Sequence, residues 1–240
     1  MKKLIFSVAL LLAAYTGNAQ VIISLLLGDK LNTGKIEFGL DGGLTLSDIQ
    51  GLDGAKSLRG FNLGFYFDIK LKNPAWMFNT GVLVKSPMGA EELPVYSLND
   101  PDLDNVFAGG EVTKKLRYFN VPLMMKYQFK NHFFAKAGIQ LGLMNKAFDE
   151  FSKYIEDEEA SYKIKTKELY HPLDAGLAFG LGYRLMGGNG MNIGIQYYLG
   201  LVDILIDDDT PDQTNRAFYL NLGIPIGKGS AKKKTEQKEK

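Results

Sequence analysis

The chain has 240 residues, 45% of them hydrophobic, with 28 basic against 27 acidic side chains and no cysteine. The balanced charge leaves no basic face large enough to release many counterions, which excludes a nucleic-acid partner. The missing cysteines exclude disulfides and a lipoprotein's lipid-bearing cysteine, and the length suits one domain without an internal linker.

Residues 1–19 have the layout of a signal peptide: Lys2 and Lys3, an apolar run over 4–14, and small residues before a cut after Ala19. A membrane anchor would need about 20 uninterrupted apolar residues, and Thr16, Gly17 and Asn18 break this run. A second apolar run, 21–27, is too short to cross and reads as a short helix or an extended lead-in to the first strand.

Eight segments then alternate apolar and polar residues with period two: 35–47, 59–72, 75–86, 115–129, 131–145, 170–185, 191–201 and 215–226. In the first, Ile36, Phe38, Leu40, Leu44 and Leu46 share one face, while Glu37, Gly39, Asp41, Gly43 and Thr45 share the other. In the second, Phe61, Leu63, Phe65, Phe67 and Ile69 oppose Asn62, Gly64, Tyr66, Asp68 and Lys70. Most of these segments exceed the roughly 9 to 11 residues that a tilted strand needs to cross a bilayer.

Alternation alone does not orient the faces, because a soluble lipocalin-like barrel with an apolar interior has the same period. The glycines do. Gly39, Gly43, Gly64, Gly81, Gly138, Gly142, Gly176, Gly180, Gly182, Gly194 and Gly200 all fall on the polar face. Glycine facing water would only weaken a soluble strand, whereas a narrow eight-stranded lumen needs small residues. The apolar face then meets lipid. Aromatic residues gather near its ends, Trp76, Tyr127, Phe129, Phe133 and Tyr183 at one rim and Phe61, Phe119 and Phe218 towards the other, like two interfacial girdles. The fold class is all-β: an eight-stranded antiparallel up-and-down transmembrane β-barrel in the cell outer membrane, spanning a domain at 20–227. Connections at 48–58, 87–114, 146–169 and 202–214 are long and should face outside; those at 73–74, around Lys130 and at 186–190 are short, and both termini are expected in the periplasm.

The segment Leu116-Arg117-Tyr118-Phe119-Asn120-Val121-Pro122-Leu123-Met124-Met125-Lys126-Tyr127 resembles the fourth-strand motif of the PorT-like outer-membrane β-barrel family. The glycine-rich stretches at 38–43, 134–142 and 174–183 extend the match in order along nearly all of the mature chain. The resemblance implies an eight-stranded outer-membrane barrel in a family of mostly undefined roles, a few of whose members are tied to protein secretion and gliding. The chain departs from many outer-membrane barrels in ending its last strand without a terminal aromatic, so recognition by the insertion machinery would use an internal signal.

The polar face places Glu37, Asp41, Asp68 and Asp174 with Lys70, Lys85, Lys126, Lys136 and Arg184 in the lumen. Near-balanced charges in so narrow a space point to a salt-bridged plug; a selective pore is the sharper alternative. Pro122 cannot donate to a strand ladder, so a bulge or local break is expected there. His132 and His171, the two histidines, fall at opposite ends, and no spacing marks a nucleophile and base, so an enzyme is not expected and no cofactor is implied. Acidic residues crowd two outer loops (Glu91, Glu92, Asp100, Asp102, Asp104 and Glu111; then Asp203, Asp207, Asp208, Asp209 and Asp212) and could hold calcium, but neither has EF-hand spacing. The stretch 149–168 mixes acids and lysines and reads as a polar hairpin extension. The basic tail, 228–240, is expected to be a disordered solubilising end, with anionic periplasmic partners or headgroups as its alternative. Outer-membrane lipid is the implied partner, with protein partners at the outer loops or periplasmic end.

Overall fold

The computed structural model describes residues 34–155, 158–188, 190–206 and 212–226. The expected signal peptide, the apolar run at 21–27, the tail at 228–240 and the acids Asp207, Asp208 and Asp209 lie outside the described residues.

Nine strands are present among them: β1 (Ile36–Gln50), β2 (Lys56–Lys70), β3 (Trp76–Leu93), β4 (Glu111–Gln128), β5 (Phe133–Ile155), β6 (Glu158–Lys165), β7 (Leu173–Arg184), β8 (Asn192–Gly200) and β9 (Thr214–Pro225). A short helix, α1 (Pro101–Phe107), lies between β3 and β4. Eight strands close an antiparallel ring in the order β1-β2-β3-β4-β5-β7-β8-β9 and back to β1, so the wall has no free edge. The ninth, β6, pairs with the far half of β5, from Phe148↔Lys165 to Ile155↔Glu158, and forms the hairpin extension expected over 149–168.

Several strands outrun their expected ends. β3 and β4 each have 18 residues and β5 has 23, well beyond what a bilayer requires, so strand extends into both ends of the connection expected at 87–114 and shortens it to 94–110. The connection expected as long at 48–58 is a tight turn at 51–55, made by Gly51 and Gly54 in the left-handed region (φ 89° and 76°). The remaining long connections, 94–110, 166–172 and 201–213, share one end of the barrel with the β5–β6 hairpin and the 51–55 turn, and the short turns before β3, β5 and β8 share the other.

Pro122 makes no bulge. It pairs in register with Gln140 on β5, and the ladder to β3 lapses at Val121 and Pro122 before resuming at Leu83↔Asn120. The bulges fall elsewhere. One follows Leu83 on β3 and leaves both Val84 and Lys85 outward, another inserts Asn145 on β5 between Met144 and Lys146, and the register also shifts between Ser57 and Leu63 on β2 and between Ala90 and Leu93 on β3.

The outer face carries an exposed apolar belt that includes Leu44, Leu63, Phe119, Leu141, Leu181, Ile195 and Leu220. The interior has two layers. Its short-turn half is polar, and its long-loop half is an apolar core in which Met88, Val112, Leu116, Phe151 and Ile204 are completely enclosed and Phe107 of α1 is nearly so. The expected lumen charges are therefore confined to the short-turn half and the middle, while the long-loop half is apolar around the buried Asp149, which is paired with Lys114.

Candidate functional site

The charged layer begins where β1 and β7 meet the short turns. Arg184 donates through Nη2 to Glu37, whose other carboxylate oxygen accepts from the Tyr66 hydroxyl at 3.1 Å. Asn192 donates to that hydroxyl at 3.2 Å. Glycine makes room for these groups: a Cβ at Gly39 would collide with the Tyr66 ring, and one at Gly182 with the Phe134 ring. The small residues of the polar face thus accommodate the side chains that fill the lumen.

Deeper in, Lys126 reaches Asp68 at 2.6 Å, and Asn79 donates to the second oxygen of Asp68 at 2.7 Å. The Lys126 ammonium also sits 4.2 Å from the centre of the Phe134 ring, a cation–π contact. Asp41 and Lys136 line a cavity of about 30 Å³ beside this pair, room for a few waters at most. Buried ions in so little free space must be paired or hydrogen-bonded, and the Asp68–Lys126 and Glu37–Arg184 pairs meet that requirement directly.

Three expected members stand apart. Asp174 lies in the middle of the lumen and accepts from Asn215 at 2.8 Å, with no cation paired to it among the described residues. Lys70 ends β2 at the rim and donates to the Gly34 carbonyl at 3.4 Å. Lys85 faces outward over the Phe61 ring at 5.6 Å, because the β3 bulge reverses its parity; its place in the lumen is corrected. Tyr66, Asn79, Asn192 and Phe134 complete the network. All four share the polar face of their strands, Phe134 two residues before Lys136, and that face was the signal that could have found the three polar ones.

A second polar cluster ties the projecting half together. Asp149, fully buried, accepts from Lys114 at 2.8 Å, from the Tyr96 hydroxyl at 2.9 Å and from Thr166 at 3.4 Å. On the outer side of the same hairpin, Glu150 bridges Lys115 and Lys163. Desolvation raises the Glu150 carboxyl, but hydrogen bonds from both lysines outweigh it and hold it below the ordinary carboxylate range. The acids of the 94–110 loop serve the backbone: Asp100 caps α1 through the amides of Asp102 and Leu103, and Asp104 accepts from Ser97 and the Leu98 amide, which lowers its pKa. Among the described residues no group of His, Asp and Glu is arranged to hold a metal.

The rim aromatics form two chains at the short-turn end. Trp76, Tyr127 and Phe129 meet edge to face, each step 4.9 Å, and Phe133 packs on Tyr183 at the same distance. His132 occupies the β4–β5 turn with φ 69°, and His171 is exposed before β7, so the histidines sit at opposite ends.

Solved structures similar to this chain include bacterial surface and outer-membrane proteins. Ail of Yersinia pestis is 16% identical over 80% of this chain and 99% of its own, with a TM-score of 0.42. Neisserial surface protein A is 11% identical over 79% and 96%, with a TM-score of 0.40, and OprG of Pseudomonas aeruginosa 12% identical over 81% and 95%, with a TM-score of 0.32. No curated protein matches the chain significantly. The model of the family described as "Outer membrane protein beta-barrel domain" matches residues 18–205. The closed antiparallel ring and this match over most of the chain make the protein a member of that outer-membrane β-barrel family.

Proposed function

We propose that the protein is a non-enzymatic, permanently closed barrel that acts as a structural or partner-docking component of the outer membrane. In this reading the long-loop end faces the cell exterior, and the short turns, with Ile36 and Pro225, face the periplasm. The aromatic chains around Trp76 and Tyr183 then mark the periplasmic lipid interface. The resemblance to PorT-like barrels supports a place beside secretion machinery, with protein partners at the projecting loops or the periplasmic rim.

The observation that carries the reading is the filled lumen: paired ions in one half, an enclosed apolar core in the other, and a cavity of only about 30 Å³ between the buried charges. Planar-bilayer recording tests it. The purified barrel should insert without steady ion-selective openings; such openings would establish a narrow channel or small-ligand transporter instead.

A further inference from the structure

Four adjacent strands each present one cation outward at the level where the apolar belt ends on the long-loop side: Arg59 on β2, Lys85 on β3, Arg117 on β4 and Lys146 on β5. All four are exposed, and none forms an ion pair among the described residues. Register brings three of them together, and Arg59 lies on the neighbouring strand, four residues before Leu63, the partner of Lys85. Arg117 pairs directly with Lys146 across β4–β5 and with Pro87 on β3, two residues from Lys85.

Two features separate this row from ordinary solvated lysines. Counting strict alternation from Gly81 and Leu83 on β3, and from Gly142 and Met144 on β5, would turn both Lys85 and Lys146 into the lumen. A bulge on each strand aims them out instead, at the same level. Arg117 and Lys146 are also like charges directly opposite each other, an arrangement that costs stability unless an anion lies between them. The opposite wall differs: on β9, Arg216 is bonded to Gln50 and lies across from Asp48.

We infer that Arg59, Lys85, Arg117 and Lys146 form a binding surface for the phosphates of a phosphorylated glycolipid in the outer leaflet, whose acyl chains lie on the belt below. Charge complementarity supplies the phosphate contacts, and the exposed Phe61, Leu63, Phe119 and Leu143 immediately below supply the apolar half. Arg117 lies 5.1 Å from the centre of the Phe148 ring, as Lys85 lies over Phe61, which holds both cations against the wall. The glycolipid's leaflet rests on the orientation proposed above.

The full-length protein, in nanodiscs of zwitterionic phospholipid doped with bis-phosphorylated lipid A or with the same lipid stripped of phosphate, is extracted into detergent and its retained lipid counted by native mass spectrometry. Retention of the phosphorylated form should exceed that of the stripped form by about tenfold or more, and the R59Q/K85Q/R117Q/K146Q variant should reduce the ratio to near one. Equal retention of both lipids, or full retention by the variant, overturns the proposal, as does displacement of lipid A by equimolar soluble heparin. Should the quadruple variant not fold, judged by its heat-dependent gel mobility, R59Q/K85Q and R117Q/K146Q are read separately, each expected to lower the ratio while R216Q does not. Orientation is read independently: the chain has no cysteine, so K163C should react with an impermeant maleimide on intact cells. Labelling only after permeabilisation would reverse the barrel and exclude the outer leaflet, whatever the nanodiscs show.

Discussion

The Nζ of Lys126 on β4 lies 2.6 Å from a carboxylate oxygen of Asp68 on β2, bridging over the intervening β3 on the lumen face, and both side chains are almost wholly buried. Removing one partner leaves the other charged and unsolvated. Lys126→Met is therefore expected to cost about 3–5 kcal/mol, whereas the double replacement Lys126→Met/Asp68→Leu, which removes both ions, should be much closer to neutral. Urea unfolding in detergent micelles reads both. A single variant no less stable than the double would show that the pair is not the clasp described here.

The apolar half of the interior should be separable from the membrane-spanning half. Phe151 is fully enclosed, with its ring 5.0 Å from Tyr96 and 6.0 Å from Phe107, so it fastens the 94–110 loop to the β5–β6 hairpin. Phe151→Ala opens a cavity worth about 3–5 kcal/mol. The expected result is protease cleavage within 94–110 and the hairpin while the lipid-embedded strands stay resistant. Cleavage of the whole barrel would mean that the two halves melt as one.

The contrast between those halves follows what the sequence made legible. The eight membrane crossings could be read because their parity is strict and their glycines share the polar face, as Gly39, Gly64 and Gly182 show. Lys85 was misplaced because parity cannot be counted through a bulge that nothing local announces. The apolar core was hidden for a different reason: Met88, Phe107, Phe151 and Ile204 come from stretches that Pro87, Gly89, Pro94 and dense charge make look like loops. Only ring closure brings them together. Within the charged layer the ions were visible, but their pairing, Glu37 with Arg184 and Asp68 with Lys126, joins strands that are not ladder neighbours and depends on how the ring closes, and periodicity does not contain that.

Glycine at position 182 should be intolerant of even one methyl group. A Cβ there meets the Phe134 ring and lies 2.5 Å from the Ile193 carbonyl oxygen, and Phe134 in turn backs the Lys126 ammonium. Gly182→Ala is expected to destabilise the barrel by about 1–3 kcal/mol through overpacking. Adding Phe134→Leu should restore part of the loss by clearing the ring. If Phe134→Leu deepens the loss instead, the ring is needed more as a partner of Lys126 than it is in the way of the methyl.

The projecting hairpin should loosen in acid. Glu150 accepts from Lys115 on β4 and Lys163 on β6, and these bonds outweigh desolvation to hold its carboxyl below the ordinary value. A group whose folded pKa is depressed contributes stability that is present above its unfolded pKa, about 4.3 for glutamate, and that is lost as pH falls through the lower folded value. Hydrogen exchange along β6 should thus be constant from neutral pH to about 5 and, corrected for intrinsic rates, rise below about 4. Because Lys163 is more than half exposed, solvent screens the bridge and the effect should remain confined to the hairpin. Glu150→Gln should remove most of the pH dependence of β6 protection and leave the exchange of β7 and β8 unchanged. An acid response of equal size in the variant would show that Glu150 does not carry it.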